Sequence, residues 1–271
     1  MPAVKWVGGK RKLLDAIISL VPTYISSYCE PFLGGGAVLF TLQPHNIIIN
    51  DLNKELVNIY AVVRDDVDDL ILDLKKHKNT PEYFYSVRDW DRNKSLYQNL
   101  SPVQRASRII YLNKTCYNGL FRVNSFGEFN TPFGHYKNPN IVNESVLRAV
   151  HIYFQSSNVS LSCQDYTMVL DNLPKNTFVY LDPPYDPVSN TANFTWYNKG
   201  GFGKGEQIRL KEYCDHLTCR NIKFLLSNSS TEFIRKLYVD YHITTVQTKR
   251  SVNSVGSKRG DIDEVLIRNY D

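Results

Sequence analysis

The chain has 271 residues, enough for one sizeable α/β domain or for such a domain carrying a smaller insertion. With 42% hydrophobic and 22% charged residues it has the composition of an ordinary globular protein, which excludes extended disorder. Its net charge of +5 permits a polyanionic partner without requiring one.

From Lys10 to Val21 the apolar residues Leu13, Leu14, Ile17, Ile18 and Val21 recur at helical spacing, and Pro22 ends the pattern. A strand-like approach at Tyr28 and Cys29 runs into Glu30-Pro31-Phe32-Leu33-Gly34-Gly35-Gly36 and then Ala37 to Leu42, which reads as strand, glycine turn, helix. Asn46 to Asp51 is a short apolar strand that ends on an acid, completing a βαβ unit. From about Glu55 to Ile141 the texture is mostly helical, with start signals at Thr80-Pro81 and at Ser101-Pro102-Val103-Gln104, a capping box with proline at the first helical position. Thr115 to Gly134 then mixes aromatics, asparagines and glycines around Asn124-Ser125-Phe126-Gly127, the pattern of a hairpin tip.

Beyond Asn143 the α/β rhythm resumes. A helix to Phe154 is followed by a strand from Val159 to Cys163, the apolar strand Thr177 to Leu181, and a helix from Glu206 to Leu217. The strand Ile222 to Leu226, a helix opened by Ser229-Ser230-Thr231-Glu232, and strands near Ile243 to Val246 and Glu264 to Ile267 close the pattern. One α/β domain split by an insertion is expected.

The five cysteines, Cys29, Cys116, Cys163, Cys214 and Cys219, are odd in number and nowhere form a Cys-x-x-Cys pair, which argues against a disulfide scaffold and a structural zinc. The six histidines never fall in ligand spacing, so no metal is implied. Residues 1–12 lack the apolar core of a signal peptide and no stretch reaches the roughly 20 apolar residues of a membrane span, so the expected address is a reducing cytosol with no membrane partner.

The sharpest chemical feature is Phe178-Val179-Tyr180-Leu181-Asp182-Pro183-Pro184-Tyr185, an apolar strand that stops in an acid, two prolines and an aromatic. In open α/β sheets ligands bind outside the carboxyl ends of the strands, so this tetrapeptide is expected in the active crevice. The amine of an aromatic base is a poor nucleophile because its lone pair is delocalised into the ring. Accepting hydrogen bonds from both its hydrogens pushes that pair out of conjugation; Asp182 can supply one acceptor and the Pro183 carbonyl the other. The prolines fix φ and lack N–H donors, which holds those acceptors rigidly. Tyr185 offers a face for an extruded base, worth roughly 1–3 kcal/mol.

The glycines at 34–36 let backbone approach a ligand closely, although their spacing departs from the dinucleotide fingerprint. Asp51, ending the next strand, is well placed for ribose hydroxyls, with a plain helix N-cap as the alternative reading.

Taken with Lys5-Trp6-Val7-Gly8-Gly9-Lys10, these residues carry a family likeness. The chain resembles the Dam-type (D12 class) DNA adenine-N6 methyltransferases, whose known members methylate adenine within GATC. The likeness covers nearly the whole length, through the Lys-Trp-x-Gly-Gly-Lys opening, the Glu-Pro-Phe-x-Gly-x-Gly turn, Tyr117-Asn118-Gly119-Leu120, Gly127-Glu128-Phe129-Asn130 with Pro132-Phe133-Gly134, and Asp182-Pro183-Pro184-Tyr185.

The resemblance implies a Rossmann-like, S-adenosylmethionine-dependent methyltransferase sheet built from residues 1–55 and 142–271, with an inserted helical and β-hairpin target-recognition domain at 56–141. It implies that Trp6, Lys10, Phe32, Gly34, Asp51 and Asp182 surround the S-adenosylmethionine, with Asp165 near its adenine, and that Asp182, Pro183 and Tyr185 do the chemistry. Double-stranded DNA would be gripped by Lys5, Tyr117, Asn118, Leu120, Arg122 and Pro132, by a monomer or weak dimer, with the target adenine flipped. Residue chemistry agrees at two of these. A guanidinium at Arg122 can grip guanine O6 and N7, worth roughly 1–3 kcal/mol of discrimination. Tyr117 suits a wedge that fills the gap left by an extruded base.

Two positions depart from the family pattern: Phe121 stands where a smaller residue is common, and His135 follows Pro-Phe-Gly where arginine is usual. Lys249-Arg250-Ser251 and Lys258-Arg259 are basic clusters suited to phosphates. Direct in-line transfer to N6 is expected, with no covalent enzyme intermediate. Two alternatives stand beside it: adenine in structured RNA, which the same tetrapeptide can serve, and a catalytically silent DNA-binding protein. The hairpin with Tyr117 and Arg122 speaks for DNA, and the intact Asp182 and glycine turn for catalysis.

Overall fold

The computed structural model describes residues 4–6, 10, 13–188, 201–249 and 261–271. Strands β1 (Ser27–Glu30), β2 (Asn46–Asn50), β3 (Asn158–Ser162), β4 (Thr177–Leu181), β5 (Lys223–Ser229), β6 (His242–Lys249) and β7 (Asp261–Arg268) line up in the order β3-β2-β1-β4-β5-β7-β6. β1 pairs in parallel with β2 and β4, and β4 with β5, whereas β7 runs antiparallel to both β5 and β6. This is the mixed α/β, Rossmann-like arrangement expected from the sequence. The α-helices along the chain are α1 (Leu14–Leu20), α2 (Leu39–Leu42), α3 (Lys54–Asp65), α4 (Val67–Leu74), α5 (Pro81–Arg88), α6 (Lys94–Asn99), α7 (Pro102–Thr115), α8 (Glu144–Gln155), α9 (Tyr166–Asp171), α10 (Lys204–Cys219) and α11 (Glu232–Leu237). The chain divides into two compact units, the first made of Met1–Gly9, Gly34–His45 and Asn50–Gln164, the second of Lys10–Leu33, Asn46–Ile49 and Asp165–Asp271.

The second unit contains β4, whose five residues Thr-Phe-Val-Tyr-Leu are all buried, which is why its sequence is a continuous run rather than an alternation. Val179 lies opposite Cys29 on one side and Phe224 on the other. Val179, Leu181, Phe224, Leu226, Val265 and Ile267 pack with Leu210, Cys214 and Leu217 of α10 into one core. β4 therefore delivers Asp182 from a fully packed base. β5 runs three residues past the expected end at Leu226, because Ser227, Asn228 and Ser229 continue the ladder opposite Leu266, Val265 and Glu264. The short helix α9 fills a stretch with no helical expectation; Asp165 caps it by accepting from the Thr167 amide.

The first unit is largely helical, and four of its helices begin on a capping side chain. Asn53, Thr80 and Asn93 cap α3, α5 and α6, and the expected capping box of Ser101 with Gln104 opens α7. Here β3 runs parallel to the chain at 45–51: the Asn158 amide donates to the His45 carbonyl and the Asp51 amide to the Ser162 carbonyl.

The segment Thr115–Gly134 folds back on itself as expected, but through isolated antiparallel bridges, Cys116 to Phe133 and Val123 to Phe129, rather than continuous strands. Its tip is tied by Asn124, whose Oδ1 accepts from the amides of Phe126 and Glu128, and by Gly127 at φ +82°. Its returning arm is tied to α7: Arg108, only 1% exposed, donates to the carbonyls of Val87 and Arg88 and pairs with Asp91 at 2.8 Å. Asp91 in turn accepts from the Phe129 amide at 2.8 Å. Arg108→Met keeps the volume but takes from Asp91 its buried partner, leaving it the more exposed Arg92 at 3.0 Å. We expect a loss of about 3 kcal/mol in urea unfolding, the lower end for breaking a buried pair, since Arg92 still offsets part of the charge. A change within experimental error would show that the pair does not anchor this segment.

Candidate active site

In the second unit the carboxyl end of β4 opens onto a cluster of ionisable groups. The Lys10 ammonium meets Asp182 Oδ1 at 2.7 Å and the Tyr185 hydroxyl at 2.8 Å, and lies 4.1 Å from the centre of the Tyr185 ring. Tyr185 donates to Glu264 Oε2 at 2.9 Å. The Ser227 hydroxyl, itself in contact with the Tyr180 hydroxyl at 3.1 Å, donates to the same Asp182 Oδ1 at 3.0 Å. Burial pushes the Asp182 carboxyl above the usual range, against the pull of Lys10 and of the two hydrogen bonds. Burial, the largest single influence, would depress Lys10, but the charge and hydrogen bond of Asp182 together with Tyr180 and Glu264 outweigh it and raise the ammonium pKa. Burial and the neighbouring carboxylates push the Tyr185 phenol well up, so it stays neutral.

The chain after Asp182 is clamped rather than merely turned. Gln207 donates to the Pro184 carbonyl, Asn228 donates to Gln207, and the Asp186 amide donates to Asn228. Ser229 donates to the Asp186 carbonyl and Thr231 to its carboxylate. Gln207 and Asn228 are fully buried, so each bond is made in a setting where leaving it unmade is costly. The Pro183 carbonyl, by contrast, accepts no hydrogen bond among the described residues.

Also in this unit, Phe32 is half-buried and packs against Tyr166 and Phe202, ring centres 5.0 and 5.9 Å away. Asp165 accepts from the Thr167 hydroxyl and amide and pairs with Arg209 at 3.2 Å. Burial pushes its carboxyl up, but Thr167 and Arg209 hold it below the usual range.

In the first unit Asp51 closes the glycine turn. Its Oδ2 accepts from the Gly34 amide and its Oδ1 from the Asn53 amide, both at 2.9 Å. Asp51 is therefore not the cap of α3, a role that Asn53 fills. Burial raises the Asp51 carboxyl pKa against these two bonds. Gly34 stands at φ +49°, and a Cβ there would meet the Trp6 ring at 3.3 Å. Trp6 stacks on Phe121, centres 4.8 Å apart and planes 23° apart, so the bulk that departs from the family pattern packs on the indole.

The expected DNA contacts gather in this same unit. Asn113 of α7 accepts from the Lys5 amide and donates to the carbonyls of Lys5 and Gly119, while the Lys5 ammonium donates to the Asn118 carbonyl at 2.6 Å. Lys5, Tyr117, Asn118, Arg122 and Pro132 are exposed and Leu120 is half-buried. Asn130 orients Arg122 by accepting from Nε at 2.7 Å and from Nη2 at 3.1 Å. His135 is exposed in the left-handed region at φ +54°.

The structure thus brings Lys10, Asp182, Pro183 and Tyr185 together in one unit with Phe32 and Asp165, and Trp6, Gly34 and Asp51 together in the other with all six candidate DNA contacts. Val7–Gly9 and the side chains of the two basic clusters at 249–251 and 258–259 lie outside the described residues. Sequence reasoning missed Gln207, Ser227, Asn228 and Glu264. The visible signal was a Ser-Asn-Ser run at the end of an apolar strand and an acid heading another.

Residues 6–252 match the family model described as D12 class N6 adenine-specific DNA methyltransferase. A Type II methyltransferase of Methanocaldococcus jannaschii, M.MjaIII, is 42% identical over 99% of each chain. Another, M1.LlaDCHI of Lactococcus lactis subsp. cremoris, is 38% identical over 99% of this chain and 95% of its own. The DNA adenine methylase of Escherichia coli K12 is 34% identical over 97% and 93%. The chain belongs to the D12 class of N6 adenine-specific DNA methyltransferases. Membership implies a methyl donor of the S-adenosylmethionine type and DNA as substrate.

Two substitutions test the geometry. Gly34→Ala places a side chain in the left-handed region against Trp6 and is expected to cost about 1–3 kcal/mol in denaturant unfolding. Asn228→Ala leaves the Asp186 amide and Gln207 unpaired; a cost of about 1–3 kcal/mol is expected, with a measurable fall in methylation rate. Full stability and rate in the second variant would show that the clamp is incidental.

Proposed function

We propose that this enzyme methylates N6 of a flipped adenine, with Asp182 and the Pro183 carbonyl as the two acceptors that raise the nucleophilicity of the amine. The observation that carries this reading is the division of labour around Asp182. Lys10 and Ser227 both engage Oδ1, while Oδ2 takes neither bond, and the Pro183 carbonyl is uncommitted among the described residues. A rigid loop thus offers two acceptors to a group with two hydrogens. Tyr185 supplies the ring for the base.

The donor set suits S-adenosylmethionine. In the first unit Gly34 keeps its turn free of a side chain beside Trp6, and Asp51 suits ribose hydroxyls; in the second, Lys10 suits a carboxylate, and Phe32, Asp165 and Asp182 are the other candidates. S-adenosylmethionine would supply a methyl carbon on a sulfonium, its C–S bond breaking with the electron pair left on sulfur as the N6–C bond forms, and the proton lost from N6 would pass to water. Asp182, as a carboxylate, is where positive charge reaching N6 is best met.

Residues 56–141 serve as the target-recognition insertion. Lys5, Asn118, Leu120 and Pro132 grip the duplex, Tyr117 wedges into the gap, and Arg122 reads guanine in GATC. The names of two relatives as Type II methyltransferases support service beside a restriction nuclease.

Mapping N6-methyladenine on plasmid treated with purified enzyme tests the target; methylation confined to sites other than GATC, or to RNA, would overturn it. Arg122→Ala is expected to lose about 5- to 160-fold in discrimination at the guanine position, equivalent to roughly 1–3 kcal/mol. The pH profile tests Asp182. Its acceptor role needs the ionised form and burial raises its pKa, so kcat at saturating donor falls on the acid side above the ordinary carboxylate value of about 4. Lys10→Met removes the opposing cation and should move that limb to higher pH; a limb that stays fixed would separate Asp182 from the reaction.

A further inference from the structure

We infer that Glu264 is a positioning residue of the methyl-transfer centre, holding Tyr185 by its hydroxyl. The inference rests on the reading of Asp182 as acceptor for the amine. Glu264 heads three residues of β7, Val265, Leu266 and Ile267, that are completely buried. Its half-buried carboxylate reaches the Tyr185 hydroxyl at 2.9 Å, and the same hydroxyl meets Lys10 at 2.8 Å.

An acid beside another acid is a poor choice for stability alone, because like charges in a partly buried cluster repel. It is a good choice for this reaction. The charged and titratable groups facing Asp182 among the described residues are Lys10 from the amino-terminal segment, Tyr180 and Tyr185 from β4 and the loop after it, and Glu264 from β7. Both phenols are held neutral, because burial pushes each well above its ordinary value. A carboxylate in this position is complementary to positive charge as it passes from sulfur to N6. The contact also fixes the tyrosine ring: its hydroxyl is held between a carboxylate and an ammonium, so the plane offered to the base is set before the base arrives.

Glu264→Gln keeps an oxygen acceptor for Tyr185 and removes the charge. Measured with saturating donor and a GATC duplex, kcat is expected to fall about tenfold while DNA affinity stays unchanged, since the effect is on charge and aim at the reacting centre rather than on the duplex. The acid limb of kcat should move to lower pH, because the like charge that helps keep the Asp182 pKa up is gone. Glu264→Asp should restore the position of the limb. In a Tyr185→Phe background the Glu264→Gln effect should shrink, the coupling expected of groups acting through one hydroxyl. If Glu264→Gln does not fold, Tyr185→Phe carries the test alone, and wild-type kcat and limb in it would overturn the inference. An inactive Asp182→Asn beside a Glu264→Gln enzyme with unchanged rate and limb overturns this inference and leaves the reading of Asp182 intact. Full activity in Asp182→Asn overturns both.

Discussion

A carboxylate held at the end of a fully buried strand carries a large desolvation penalty, and the organisation of the second unit follows from how that penalty is offset. Asp182 leaves β4, all five residues of which are buried, and its Oδ1 is at once paired with Lys10 and hydrogen-bonded by Ser227. Without those partners burial would favour the neutral acid, which offers one fewer acceptor to an amine. With them the charge is kept and fixed on one oxygen. The other oxygen takes neither bond, which is what the proposed pair of acceptors requires. Burial thus works in two directions: it disfavours the charge and removes the water that would weaken its hydrogen bonds.

The same device appears in the first unit, where Asp51 is tied down by two backbone amides, one from the glycine turn and one from Asn53. Each unit positions a carboxylate at a strand end through a neighbour distant in sequence. The segment Thr115–Gly134 is treated alike, with Arg108, Asp91 and the Phe129 amide forming a chain of contacts from α7 to the returning arm of the hairpin. Rigid acceptors and a rigid hairpin segment would suit the flipped-base reaction proposed above.

Much of this was legible in the sequence wherever the cause is local. The buried strand before Asp182, the capping box at Ser101, and the turn at Asn124–Gly127 each depend on residues within a few positions of one another, and each stands where the sequence puts it. What was not legible depends on register. Ser227 and Asn228 read as a polar tail after an apolar strand, and only their pairing opposite Leu266 and Val265 extends that strand to the acid-bearing loop. Arg108 reads as one polar residue of an amphipathic helix; that it is buried against Asp91 depends on how three helices pack. Helix α9 escaped notice because six residues are too few for a period to declare itself.

The reversal of the last strand has an architectural consequence. In a wholly parallel sheet every strand arrives at the reactive edge with its final residues, so the chain can contribute there only as it exits a strand. Because β7 runs the other way, between β5 and β6, it contributes its opening residues at the edge where β4 and β5 give their last. The stretch Asp261–Arg268 is thereby drafted to the same edge as Asp182: removing it would take from β5 its antiparallel neighbour and at the same stroke withdraw an acid from beside Tyr185.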